Sequence, residues 1–235
     1  KDNYTFILSN ETNDACVIDP ADSSPIIEYV NKHNLLIKDI LITHHHEDHT
    51  SGTAGIIKTF PNVNVHSPSS HIKYTRFVLR NDDEIETSIN TFKIISTPGH
   101  TLDHIVYLDN NHKILFCGDT LFRLGCGRVF EGTLDQMFSS LQKINELDDN
   151  LKIYCGHEYT LNNLNFLESI LNKKELFSDI RQKIEEDLMH SKKSVPFYLI
   201  EEKSHNLFLN QESNIGISIK KELGLDNFGL FQHLR

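Results

Sequence analysis

The sequence predicts an α+β chain in two parts, a strand-rich part over residues 1–158 and a helical part over residues 159–235. Three observations carry this. Short apolar runs recur to about residue 157, separated by polar turns and by stretches of helical period. After Tyr159 the periodicity becomes helical. The length, 235 residues, suits one large domain or a core domain with an appendage.

Taken in order, Tyr4–Leu8 and Ala15–Asp19 read as strands, joined by a polar connection, Ser9 to Asp14, that suits a hairpin. Pro25–Asn34 reads as a helix with Ile26, Ile27 and Val30 on one side. Asp39–Thr43 is a buried-strand candidate running straight into a group of histidines, and Thr50–Phe60 reads as a helix weakened by Gly52 and Gly55. Asn62–His66, Thr91–Ser96, His104–Leu108, Lys113–Cys117 and Leu151–Cys155 read as strands. Thr133 and Gln136 make a capping-box pattern, and Leu134, Met137, Phe138, Leu141 and Ile144 follow it at helical spacing. Beyond Tyr159, Leu161, Leu164, Leu167 and Leu171 line one helix. Ile180, Ile184 and Leu188 line a second, Pro196 breaks the chain, and residues 214–235 hold one or two short helices.

Composition narrows the function. Lys and Arg number 23 against 33 Asp and Glu, so 23 − 33 leaves −10. Such a surface repels phosphate and argues against a general nucleic-acid binder. No apolar run approaches the roughly 20 residues that span a bilayer, so no membrane association is expected. Cys16, Cys117, Cys126 and Cys155 fit neither a CxxC zinc pattern nor a compact disulfide framework. Reduced thiols in a cytoplasmic enzyme are the simplest reading, and no export signal is visible.

Fourteen histidines stand out, four of them within Thr43-His44-His45-His46-Glu47-Asp48-His49, an HxHxDH arrangement. Zinc-type ions take N and O donors at roughly 2.0–2.2 Å. His44 and His46, two apart, point the same way in an extended stretch, and Asp48 and His49 follow where the chain turns into a helix. Two adjacent donor pairs at one strand end suit a two-metal site. His100, Asp119 and His157 share one position: each follows a Gly at the C-terminal end of a strand, in TPGHT, CGDT and CGHEY. Glycine permits the sharp turn, and a sheet edge is rigid. His45 is expected to point away and support its neighbours, and His104 to be a buried hydrogen-bonding residue. Gly125-Cys126-Gly127 lacks the rest of a dinucleotide loop, and no GxSxG elbow is present.

With THHHEDH, TPGHT, CGDT and CGHEY in this order, the chain resembles the metallo-β-lactamase superfamily. Within it, GDTLF followed by GCGR, FEGT and YCGHEYT resembles the glyoxalase II (hydroxyacylglutathione hydrolase) family over nearly the whole chain. The resemblance implies a four-layer αββα sandwich with a C-terminal helical domain that binds substrate. It implies two divalent ions, zinc first with iron or manganese fitting the same donors. His44, His46 and His100 would hold one, Asp48, His49 and His157 the other, and Asp119 would bridge them. The implied reaction is hydrolysis of the thioester of S-D-lactoylglutathione to D-lactate and glutathione in methylglyoxal detoxification, with Asp48 also orienting the nucleophile. The partner is a small molecule, and a monomer is expected.

Arg128 and Tyr159 match family positions that contact glutathione, and Phe130 falls where a tyrosine is frequent. Asn210 stands where the resemblance aligns an arginine that meets the glycine carboxylate, with Ser213 at a further cation position. Lys192, Lys193 and Lys203 are then the candidates to replace the lost charge. A mononuclear-iron persulfide dioxygenase would leave some of the seven donors idle. A lactonase is disfavoured on the same ground, and a non-catalytic binding module would have lost donors.

Overall fold

The computed structural model describes residues 3–235. One sheet has the order β1 (Phe6–Ser9), β2 (Asp14–Ile18), β3 (Leu36–Leu41), β4 (Asn64–Ser67) and β5 (Phe77–Val78). β1 and β2 form the expected hairpin, with Phe6 opposite Ile18, and the remaining pairs are parallel. The second sheet has the order β13 (Phe197–Tyr198), β12 (Lys152–Cys155), β9 (Ile114–Gly118), β8 (Ile105–Asp109), β7 (Thr91–Ser96) and β6 (Glu84–Glu86). A separate two-stranded hairpin, β10 (Leu121–Phe122) with β11 (Gly125–Cys126), follows β9.

The two-residue period of the strands sorts side chains into layers. On β2, Ala15 and Val17 face α1 (Ser23–Lys32) and α3 (Thr53–Thr59), packing with Ile26, Val30 and Ile56. Their neighbours Cys16 and Ile18 face the second sheet, meeting Phe92, Ile94, Tyr107 and Phe116. On β8 the alternation repeats: Tyr107 points between the sheets, while Val106 and Leu108 point outward to Met137, Leu141 and Ile144 of α4 (Leu134–Asn145). The result is the αββα arrangement that the resemblance implied.

The chain after Tyr159 forms α5 (Thr160–Leu171), a 3-10 turn (Lys174–Phe177), α6 (Ser178–Ser191), α7 (Leu199–His205), α8 (Asn214–Leu223) and α9 (Asn227–His233). Leu164, Leu167, Ile180, Ile184, Leu230 and Phe231 join the same apolar core as Leu115 and Ile153 of the second sheet. No described helix is long and apolar enough to cross a membrane, and all four cysteines are free thiols.

Local rules place several boundaries. Both bonds of the Thr133–Gln136 capping box form, which is worth about 1 kcal/mol to a helix. The expected helix over Thr50–Phe60 is instead two, α2 (Glu47–Thr50) and α3. Between them the Gly52 N–H leaves the helical pattern to bond Pro20 O at 2.8 Å. β3 ends earlier than its apolar run, because Ile42 and Thr43 carry the chain across to the second sheet. Thr43 O accepts from Ile105 N at 3.0 Å, and Ile42 O accepts from the buried Tyr107 hydroxyl at 2.8 Å.

A polar joint ties the β10–β11 hairpin to the helices. Arg123, 1% exposed, donates to Asp187 and to Ser194 O, each at 3.0 Å. Fully buried Glu202 accepts from Leu124 N at 2.7 Å and from Asn206 Nδ2 at 2.8 Å. Asn206 also donates to Phe122 O and Gly125 O. Burial pushes the Glu202 carboxyl up to about 7 despite these donors.

Candidate metal centre

All seven donors stand at one edge of the two sheets. His44, His46, Asp48 and His49 follow β3 and run into α2, His100 follows β7, Asp119 follows β9, and His157 follows β12. Two glycines make the approach possible. Gly118 has φ +47, and a Cβ there would lie 2.5 Å from Thr43 Oγ1. A Cβ on Gly156 would lie 2.3 Å from Asp119 Oδ1 and 2.8 Å from His49 Cε1. A side chain at Gly156 would strike two of the donors, and one at Gly118 would strike Thr43 and His104 behind them.

Three sets of donors converge: His44 with His46 and His100, His44 with His49 and Asp119, and Asp48 with His49 and His157. In the first, His44 Nε2 and His100 Nε2 each lie 3.1 Å from His46 Nδ1. Their partners fix the tautomers. The Thr43 hydroxyl donates to Asp19 at 2.7 Å, so its oxygen is left to accept from His44 Nδ1–H at 3.0 Å. The Arg128 carbonyl can only accept, so His100 Nδ1–H donates to it at 2.8 Å. Both Nε2 lone pairs therefore aim at one nitrogen that has at most one proton to give in the neutral ring. A cation among the three resolves this, since tetrahedral nitrogen donors around zinc sit roughly 3.3 Å apart. Burial, then the neighbouring imidazoles, hold His44 well below its ordinary value, in the neutral form that ligates.

The second position is built on carboxylates. His49 Nδ1 pairs with Asp19 Oδ2 at 2.9 Å, leaving His49 Nε2 3.4 Å from Asp119 Oδ1. Both of these buried atoms lack a hydrogen-bond partner among the described residues. Asp119 Oδ2 lies 3.4 Å from His100 Nε2 and 3.3 Å from His157 Nε2, so its two oxygens reach toward both groups. Asp48 Oδ2 lies 3.5 Å from His157 Nε2. Burial works against charge here, but Asp19 and Asp119 lift His49 to about 9. Burial likewise opposes ionisation of Asp119, yet His157, His49 and His100 bring it down to about 2. A buried carboxylate held ionised among imidazoles, with facing orphan atoms, is the setting a cation fills.

His104 and His45 support neighbours rather than ligate. His104 Nε2 accepts from Asp119 N at 3.1 Å and its ring stacks on His44. His45 lies at the rim between Asp103 and Glu131, at 3.0 and 3.2 Å.

Five of the donors, His46, Asp48, His100, Asp119 and His157, floor a cleft of about 950 Å³. Phe130, 62% exposed, stands edge-on to His100 and His46 at its mouth. Tyr159 stacks on the His157 ring at 4.7 Å, and Phe122, Phe166 and Phe208 continue the apolar wall. Among the described residues its cations are Arg128 and Arg235. Arg235 was missed in the sequence: it lies beside Cys126, 3.6 Å from its sulfur, yet 109 positions away. Asn210 does not line the cleft. Its amide donates to Lys203 O and its oxygen accepts from Glu212 N, closing a turn. Lys203 faces away, bonded to Leu147 O and Asp149, and Ser213 caps α8. Lys192 and Lys193 are also absent from the lining. Asn210 thus adds no charge to the cleft, and among the described residues Arg235 is the cation that stands there with Arg128.

The metallo-β-lactamase superfamily profile matches residues 3–157, and that of the hydroxyacylglutathione hydrolase C-terminus matches residues 158–235. The hydroxyacylglutathione hydrolase of Aliivibrio fischeri is 38% identical over 224 residues, covering 94% of this chain and 88% of that protein. That of Salmonella paratyphi C is 38% identical over 214 residues, covering 91% and 84%. ETHE1 from Myxococcus xanthus superposes with a TM-score of 0.69 at 25% identity, over 98% of this chain and 90% of that one. With the αββα layers, the converging donors and both halves of the chain matched, this protein belongs to the hydroxyacylglutathione hydrolase family of the metallo-β-lactamase superfamily.

Proposed function

We propose that the protein hydrolyses S-2-hydroxyacylglutathione thioesters, S-D-lactoylglutathione first, to the free acid and glutathione, the second step of methylglyoxal detoxification. The observation that carries this reading is Asp119 between two donor sets in a chain whose C-terminal part is that of hydroxyacylglutathione hydrolases. His44, His46 and His100 would hold one divalent ion and Asp48, His49 and His157 a second, with Asp119 giving an oxygen to each. Zinc is the ion proposed. When bound, such a pair supplies Lewis acidity, making hydroxide available near neutral pH and polarising a carbonyl oxygen.

The chain's own residues supply the rest. Asp48 faces the cleft, and although burial opposes its charge, the Asn3 amide and His49 hold its carboxyl below the usual range. It is thus an acceptor that orients the attacking water. A thiolate departs without a strong general acid. Tyr159 and Phe130 flank the reacting position, and Arg128 and Arg235 draw in an anionic peptide that the −10 chain would otherwise repel. Residues 1–158 are proposed as the catalytic part and 159–235 as the part that shapes the substrate cleft, in a cytoplasmic monomer. The test is hydrolysis of S-D-lactoylglutathione against other thioesters by protein of measured metal content. Two ions per chain with preferred turnover of the glutathione thioester is expected. Two ions without thioesterase activity would refute the reaction, and a single iron would refute the binuclear centre.

A further inference from the structure

Asn3 and Tyr4 are bound to the segments that carry Asp48 and His157. Tyr4 N–H donates to Gly156 O at 2.8 Å, and Asn3 bridges His157 as an antiparallel pair. The Asn3 amide donates to both the backbone oxygen and Oδ2 of Asp48, each at 3.1 Å. The Tyr4 hydroxyl donates to Glu158 Oε2 at 2.6 Å, which also accepts from Ser194 N at 2.7 Å. One dipeptide thus grips Asp48 directly and both neighbours of His157, Gly156 and Glu158.

Asp48 needs such a grip. It sits on α2, a single turn of four residues without a side-chain N-cap, and its side chain is 37% exposed. A partly solvated carboxylate on one helical turn has several rotamers open to it, and each costs affinity when one must be selected for a cation. An uncharged donor fixes the carboxylate without competing for the ion. In the other donor set, His44 and His100 are oriented instead by Thr43 and the Arg128 carbonyl.

We propose that Asn3 and Tyr4 are positioning residues for the second ion, Asn3 holding the Asp48 carboxylate and Tyr4, through Glu158, holding the strand end that carries His157. This rests on the binuclear reading above. It predicts an asymmetric effect, because only one of the two donor sets is touched.

Stepwise affinities of the full chain for zinc, measured by chelator competition on wild type, Asn3→Ala and Tyr4→Phe, test it. Loss of a group that orients a metal ligand typically costs about 10–100-fold in affinity. Asn3→Ala is expected to weaken one ion by that factor and leave the other unchanged, with kcat reduced and KM held. Tyr4→Phe is expected to weaken the same ion by a smaller factor. Unchanged affinities in both variants, or equal weakening of both ions, would overturn the proposal. A wild type that binds fewer than two ions would overturn the binuclear reading itself, a result seen before either variant is compared.

Discussion

Replacing Asp119 by Asn keeps the side chain's shape and removes its charge. The carboxylate is 6% exposed, with His49 Nε2, His100 Nε2 and His157 Nε2 at 3.4, 3.4 and 3.3 Å. Its folded pKa of about 2 lies below the ordinary 3.8 of an aspartate. At about 1.36 kcal/mol per unit, that difference is worth on the order of 2–3 kcal/mol to the metal-free fold. The folded value is the depressed one, so this stability is present above about pH 4 and is lost as pH falls toward 2. Metal-free Asp119→Asn should therefore melt lower at pH 7. For a chain of this size roughly 2–4 °C accompanies each kcal/mol, so a drop of about 5–10 °C is expected by calorimetry. The metal-loaded variant should hold fewer than two ions and lose at least about a hundredfold in kcat, since the lost group is itself a proposed ligand. A variant that keeps two ions, wild-type turnover and the metal-free melting temperature would refute the bridging role and the electrostatic argument together.

Arg235→Ala removes a cation from the cleft wall. A charge-assisted hydrogen bond is worth roughly 1.5–3 kcal/mol, so KM for a glutathione thioester should rise about tenfold or more with kcat held, the difference shrinking with salt. An unchanged KM would place the substrate carboxylate elsewhere. Glu202→Gln addresses the buried joint. Here the folded value, about 7, is raised above 4.5, so the wild type loses stability as pH rises between those values. The span, 7 − 4.5, amounts to about 3 kcal/mol. The variant should lack that slope in denaturant unfolding followed from pH 4.5 to 7.5, and parallel curves would refute the assignment.

The donors were legible because their signal is local. HxHxDH puts four candidates within six residues, and Gly-His or Gly-Asp after an apolar strand marks each of the others. The αββα layering follows from alternation such as Ala15/Val17 against Cys16/Ile18. What stayed hidden is long-range. Asn3 and Asp48 meet across 45 positions and Arg235 and Cys126 across 109, and no spacing rule links them. The side chain of Asn210 closes a turn, a direction that a sequence match does not give, because it places a residue only in order along the chain. The two-residue strands β5, β10, β11 and β13 are too short for any period to register.

The pairing of β13 with β12, with Phe197 opposite Ile153, carries a consequence for how the molecule is made. β12 delivers His157 to the centre, and until residues 197–198 have left the ribosome it is an outer strand with a bare hydrogen-bonding edge. The nascent metallo-β-lactamase part is thus unfinished while the cleft-forming helices are still being translated. Synthesis of the sheet that carries His157 and of the helices that wall the cleft is completed together.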